Sequence, residues 1–145
     1  MDYQNGKIYT IRSHQTDKFY IGSTTQPLSK RLSCHKAHLR AYLDGKHHKI
    51  TSFDIIEYGD AYIELLEIYP CDNKMMLDKR EGEFIRSEPN CVNKCVAGRT
   101  QKEYIAENAD KIKQYREQNA DKINEQRKKY REQNDDKLKE QQKLY

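Results

Sequence analysis

Tyr9 closes the tripeptide Lys7-Ile8-Tyr9, and eleven residues later Tyr20 opens Tyr20-Ile21-Gly22. Arg31 and His35 follow, four residues apart. These residue types share one kind of chemistry. A guanidinium carries a permanent charge on a planar fork that matches phosphate oxygens. A phenol beside such a charge has its phenolate favoured despite a reference pKa near ~10, so Tyr9 is a candidate general base. Tyr20 and His35 are candidates to position a water or a phosphate, and spacing alone does not separate Tyr9 from Tyr20 as the base. Further along, Glu81 offers one carboxylate, enough to anchor Mg²⁺, or Mn²⁺ in its place, when substrate phosphate and waters complete the octahedron. Such a metal acts as Lewis acid and leaving-group clamp. Together these groups meet the needs of phosphodiester hydrolysis: an activated water, stabilised phosphate charge and a neutralised leaving oxygen. Either tyrosine alone reads as an ordinary strand residue. The pair, with Arg and His next in line, is what core packing does not explain.

The elements that must position these residues are short. Lys7 to Arg12 alternates, with Ile8 and Thr10 on one face and Tyr9 and Ile11 on the other, as a strand does. His14 to Asp17 is a polar turn, and Phe19 to Ile21 is a second short strand ending at Gly22. Paired as an antiparallel hairpin, the two bring Tyr9 and Tyr20 near each other. Pro27 opens a helix that runs to about Leu43, with Thr25 as its cap. Leu28, Leu32 and Leu39, with His35 or Lys36 and with Tyr42 or Leu43, give it an apolar face. Arg31, His35 and His38 form a neighbouring stripe. Lys46 to Tyr58 reads as irregular, with at most a short extended piece near Phe53 to Glu57. Tyr62 to Tyr69 is a third strand, and its Ile and Leu content predicts burial on both faces. Asn73-Lys74 begins a second helix that ends before Pro89, with Glu81 beside its apolar stripe and Glu83 towards solvent.

This β-β-α-β-α order predicts an α+β fold: a small three-stranded antiparallel sheet flanked by helices, followed by a long C-terminal helical extension. On KIY, YIG and the run Arg80-Glu81-Gly82-Glu83-Phe84-Ile85, the chain resembles the GIY-YIG nuclease family over about residues 6–94. The first tripeptide departs from the family pattern, with Gly6 displaced one residue upstream. The resemblance implies the same architecture and a metal-dependent DNA endonuclease cutting one strand per active site. It puts Glu81 in the metal-binding slot, favours the first tyrosine as base, and gives Asn93 the place of an asparagine that follows the second helix. Lys18, Lys30, His38 and His48 join Asn93 as candidate DNA contacts.

From Gly98 onward the composition changes, and neither Gly nor Pro occurs after it. The organisation expected is therefore a nuclease-like domain over 1–98 and a charged extension over 99–145. Thr100-Gln101-Lys102-Glu103 is a capping box. Asn108-Ala-Asp-Lys-Ile112 recurs at Asn119 to Ile123 and at Asn134 to Leu138, and Tyr104, Tyr115, Tyr130 and Tyr145 are spaced 11, 15 and 15 apart. These intervals are three and four helical turns, which favours one long exposed helix with a thin, drifting apolar stripe. A second reading breaks it at each Asn, with Asp capping the next segment. Residues 101–145 carry 12 basic and 10 acidic side chains. That near balance speaks against a purely electrostatic arm on DNA. A weak coiled coil and a solvated single helix laced with charge pairs both stay open, with marginal self-association expected.

Composition bounds the rest. The 145 residues carry a net charge of +4 and a mean hydropathy of −1.15, so no bilayer-spanning segment is expected. Met1-Asp2-Tyr3-Gln4 has neither a basic region nor an apolar run, so an intracellular protein, cytoplasmic or nuclear rather than secreted, is the expectation. Cys91 and Cys95 lack a second close Cys or His pair at zinc-knuckle spacing, and Cys34 and Cys71 stand apart, so reduced thiols are expected. Two other classes stay open: a catalytically silent DNA-binding or scaffolding module on the same fold, and an oligomerising structural protein built around the extension.

Overall fold

Apolar side chains alternate between two faces along both arms of the N-terminal hairpin, and the arms form β1 (Lys7–Ser13) and β2 (Thr16–Thr24). A third strand, β3 (Tyr62–Ile68), pairs antiparallel on the other side of β1, giving the sheet order β2-β1-β3. The structure is a computed structural model that describes residues 2–143, with side chains through residue 134. It divides into two compact units, Met1–Arg99 and Thr100–Tyr145.

In the first unit the sheet is packed on both faces. Ile8, Phe19 and Ile21 bury against Leu77 and Ile85 of α3 (Lys74–Ser87). Tyr9 and Ile11 point the other way and bury with Ile55 and Ile56, while Leu28, Leu32 and Leu39 of α1 (Leu28–Leu43) pack against them. The α+β class and the three-stranded antiparallel sheet are those read from the sequence.

Three local expectations are corrected. The stretch before β3 is not extended: Phe53–Ile56 forms a single helical turn, α2, with Phe53, Ile55 and Ile56 buried. Four residues cannot sustain a helix by propensity. Three buried side chains, each about 1.5–3 kcal/mol, hold it by packing instead. Second, the apolar run of β3 is not covered on both faces: Leu65, Leu66 and Ile68 are exposed. Arg12 and Arg80 pair with Glu64 and Glu67 along it. Third, Thr25 does not cap α1. Pro27 occupies the N-cap without a side-chain bond. Asn73 does cap α3, accepting from the Met76 N–H.

The second unit begins with the expected capping box at Thr100 and Glu103. It is not one continuous helix. Three pieces follow one another, α4 (Gln101–Glu107), α5 (Ala109–Gln118) and α6 (Ala120–Lys143), and α6 is itself interrupted at Asn134. The physical cause repeats: the side-chain amides of Asn108, Asn119 and Asn134 each donate 2.9 Å to the carbonyl four residues back, on Tyr104, Tyr115 and Tyr130. The asparagine competes with the helix for its own backbone and leaves it at ψ near zero. Asp110 and Asp121 lie in the first turns rather than at the caps. Leu138 and Tyr145 of the repeat lie outside the residues whose side chains are described. No helix among the described residues is long and apolar enough to cross a membrane.

Candidate active site

Register places the two tyrosines. Tyr9 stands opposite Gly22 and Ile11 opposite Tyr20, so Tyr9 and Tyr20 are diagonal neighbours on the face covered by α1 and α2. Gly22 leaves the space they use. A Cβ on it would lie 2.6 Å from the Tyr9 hydroxyl and 2.9 Å from Cε1 of Tyr20. Gly6 is equally crowded, by the Tyr69 carbonyl and the Leu77 side chain, while its own carbonyl accepts the Tyr69 N–H. The displaced glycine is thus a packing glycine where the chain enters β1.

The helix α1 supplies the next two groups from one stripe. Arg31 Nε donates to the Tyr9 hydroxyl at 2.8 Å, and that hydroxyl lies 2.9 Å from His35 Nε2. On the far side of the ring, His35 Nδ1 is 2.9 Å from the Ser52 hydroxyl. Tyr20 packs edge-on to His35, with ring centroids 5.5 Å apart. Tyr9, His35 and Ser52 are fully or almost fully buried, and Tyr20 is half-buried.

Burial decides the protonation states. The Tyr9 phenol is pushed up to about 12 because loss of solvent outweighs the attraction of Arg31. Tyr20 is pushed up further by burial, then by Tyr9 and Glu81. The expected lowering of the Tyr9 pKa by Arg31 is therefore reversed in the free protein. His35 is held down at about 3 by burial, then by the charges of Arg31 and His38. The pair rests as neutral phenol and neutral imidazole.

Glu81 is on α3, where burial raises its carboxyl while the side chain and backbone N–H of Ser23 donate to it and Arg31 attracts it. An open cleft of about 260 Å³ lies here, lined by Ser23 to Gln26 and Arg31 on one side and by Lys74, Leu77 and Asp78 on the other. Lys74 pairs with Asp78. Glu83 instead faces out and bonds Arg80 at 2.6 Å. No cluster of three or more His, Cys, Asp or Glu groups able to hold a metal occurs among the described residues. One half-buried carboxylate beside Ser23, on the helix that lines the cleft with Lys74, Leu77 and Asp78, fits a hard, oxygen-ligated cation that takes its remaining ligands from substrate and water.

The structure therefore joins Tyr9, Tyr20, Arg31 and His35 by hydrogen bonds and ring contacts, with Glu81 within electrostatic reach of the two tyrosines and Arg31. The other candidates fare differently. His38 stacks on His47 at 4.8 Å, and His47 on His48 at 4.4 Å, forming a row of rings after α1. Lys18 and Lys30 are exposed, and among the described residues neither side chain touches the cluster. Asn93 is engaged with the backbone. Its carbonyl accepts the Ile21 N–H at 2.9 Å and its amide donates to the Ile21 carbonyl at 2.8 Å, clamping the middle of YIG. Sequence reasoning missed Ser23 and Ser52. Ser23 had a signal, following YIG directly; Ser52 had none, because α2 itself was not expected.

Residues 5–94 match the family model for the GIY-YIG catalytic domain. Among solved structures the chain is similar to the catalytic domain of homing endonuclease I-TevI, with 25% identity and a TM-score of 0.44 over 62% of this chain and 98% of that one. It is also similar to an alanine-substituted mutant of the catalytic domain of intron endonuclease I-TevI, with 26% identity and a TM-score of 0.46 over 63% and 95%. No curated protein sequence matches.

Proposed function

The chain belongs to the GIY-YIG family, and we propose that its domain is a Mg²⁺-dependent DNA endonuclease that hydrolyses one strand per active site. One observation carries this reading: Arg31 holds the Tyr9 hydroxyl at 2.8 Å on the rim of a cleft whose other side is the helix that bears Glu81. With Nε committed to Tyr9, the two terminal amino groups of Arg31 form the fork for a non-bridging phosphate oxygen. Tyr9 accepts a proton from the attacking water while its own hydroxyl proton passes to His35 Nε2. That transfer is uphill in the free protein. Burial holds His35 down first and the Arg31 charge adds to it; a phosphodiester beside Arg31 offsets that second part, so the base is strengthened when substrate is in place. Tyr20 walls the ring of His35 and keeps water from it. Glu81, aligned by Ser23, would hold the metal, with Mn²⁺ able to replace Mg²⁺. When bound, that ion supplies charge neutralisation at the phosphate and leaving oxygen.

We assign the chemistry to residues 1–98 and a partnering role to the extension, which can bring two copies to one duplex through weak self-association. An intracellular location, cytoplasmic or nuclear, goes with this reading. The test is incubation with supercoiled plasmid, with and without Mg²⁺. Nicked circles should appear first, and EDTA should abolish them. Binding of DNA without any cleavage across Mg²⁺ and Mn²⁺ would leave the silent module as the reading.

A further inference from the structure

We infer that Ser52 is a positioning residue that stabilises the tautomer of His35 in which Nε2 is free to accept from the Tyr9 hydroxyl. Its hydroxyl is fully buried and lies 2.9 Å from His35 Nδ1. Ser52 occupies the N-cap position of α2, where a serine ordinarily turns its oxygen onto the helix's first free N–H groups. Here it adopts helical angles, φ −61° and ψ −19°, and makes no side-chain cap bond. The hydroxyl is spent on the imidazole instead.

A neutral imidazole has one N–H and one bare nitrogen, and a serine hydroxyl can meet either. The Tyr9 oxygen already accepts from Arg31 Nε, which leaves the phenol proton to point at His35 Nε2. When Ser52 Oγ accepts from Nδ1–H, Nε2 is the bare nitrogen that faces the Tyr9 hydroxyl. The phenol then donates to His35 while its oxygen accepts from Arg31 Nε. This is the only arrangement in which a proton arriving at Tyr9 from water can be passed on, from Tyr9 Oη to His35 Nε2. The ring becomes imidazolium, with its Nδ1–H still bonded to Ser52. In the opposite tautomer Nε2 already carries a proton and the path is closed. Without Ser52 no described group accepts from Nδ1–H, and a buried N–H left without an acceptor disfavours this tautomer. The inference rests on the nuclease reading for its catalytic consequence, but not for the tautomer.

The test therefore has two arms on the full chain: nitrogen-15 NMR of the His35 ring in the absence of DNA, and plasmid cleavage under Mg²⁺. In the wild type, His35 should show a protonated Nδ1 and a bare Nε2. Ser52→Ala should shift the ring towards a mixture and lower kcat about five- to tenfold, the worth of one neutral hydrogen bond, with KM unchanged. Ser52→Thr keeps the acceptor and should restore both signals. Thermal unfolding of each variant separates this from loss of fold. A wild-type His35 protonated on Nε2, or an unchanged ring spectrum in folded Ser52→Ala, overturns the inference. If the spectra behave as expected while no protein cleaves DNA, the positioning stands and the nuclease reading fails.

Discussion

Gly22 faces Tyr9 across the β1–β2 ladder so closely that any side chain there would meet the tyrosine hydroxyl. The last residue of YIG is therefore the floor on which two phenols converge. Gly22→Ala must displace Tyr9 or the strand. We expect a stability loss of about 1–3 kcal/mol from overpacking. Cleavage should fall about a hundredfold, because a displacement near 1 Å is enough to misplace the group that takes the water's proton. Thermal melts and plasmid kinetics measure the two effects separately. A folded Gly22→Ala that cleaves like the wild type would remove the Tyr9 hydroxyl from the chemistry.

Glu81→Gln should spare the fold and abolish Mg²⁺-dependent cleavage. Burial already disfavours the charged carboxylate, and glutamine keeps an acceptor for Ser23, so the melting temperature should change little. A Mg²⁺ titration of plasmid nicking reads the rest. An unaltered Mg²⁺ response in the variant would shift the metal to Asp78, which lines the cleft. Glu83, the alternative suggested by sequence, is engaged with Arg80.

Arg31→Lys should rescue little of what Arg31→Ala loses. Lysine has one ammonium to divide between the Tyr9 hydroxyl and a phosphate, where arginine has Nε for the first and a fork for the second. Both kcat and KM should worsen in each variant. Near wild-type turnover in Arg31→Lys would mean that only a point charge is needed there.

The sequence made the hairpin legible because its alternation has period two and its faces differ in chemistry: Ile8 and Tyr9 do go to opposite cores. It made Glu81 legible because helical spacing from Leu77 and Ile85 places it beside a buried stripe. What stayed hidden depends on neighbours. The exposure of Leu65, Leu66 and Ile68 depends on how far the helices cover β3, which a Tyr-Ile-Glu-Leu run does not encode. The turn at Phe53–Ile56 has no propensity signal and exists through packing. Asn93 resembles a ligand residue by type, yet its partners are the backbone groups of Ile21. The sign of the Tyr9 shift was missed for a similar reason, since Arg31 is visible in the sequence and burial is not.

Acid should destabilise the fold through His35. Its ordinary value is 6.5 and the folded protein holds it at about 3. The folded value is depressed, so between these limits the unfolded chain binds the proton and the folded one does not. The stability this provides is complete above 6.5 and is lost as pH falls towards 3. Melting temperatures from pH 7.5 to 4 should decline more steeply for the wild type than for His35→Gln, which has no proton to bind. Parallel curves would show that His35 is not held neutral.

The extension is testable by removal. Both cores of the first unit are built from residues no later than Ala97. Gly98, at φ 62°, would bring a Cβ within 2.7 Å of the Lys79 backbone, so Val96 to Gly98 belong to the packing on α3. The cut should therefore come after Arg99. The truncated protein should fold and still nick, because every proposed catalytic group lies before it. The extension itself offers Tyr104, Tyr115 and Tyr130, each exposed, with Ile112 and Ile123 half-buried between them. Because Asn108, Asn119 and Asn134 break the helix at each repeat, these side chains do not form the continuous seam of a coiled coil. Any self-association should be about micromolar or weaker, near −8 kcal/mol or less favourable. The full chain should thus sediment as a monomer when dilute and gain mass with concentration, and the truncated chain should not. Linear plasmid, which needs two cuts, should decline on truncation while nicking persists. Equal linear product from both proteins, with no concentration dependence in the full chain, would remove self-association from the role of the extension.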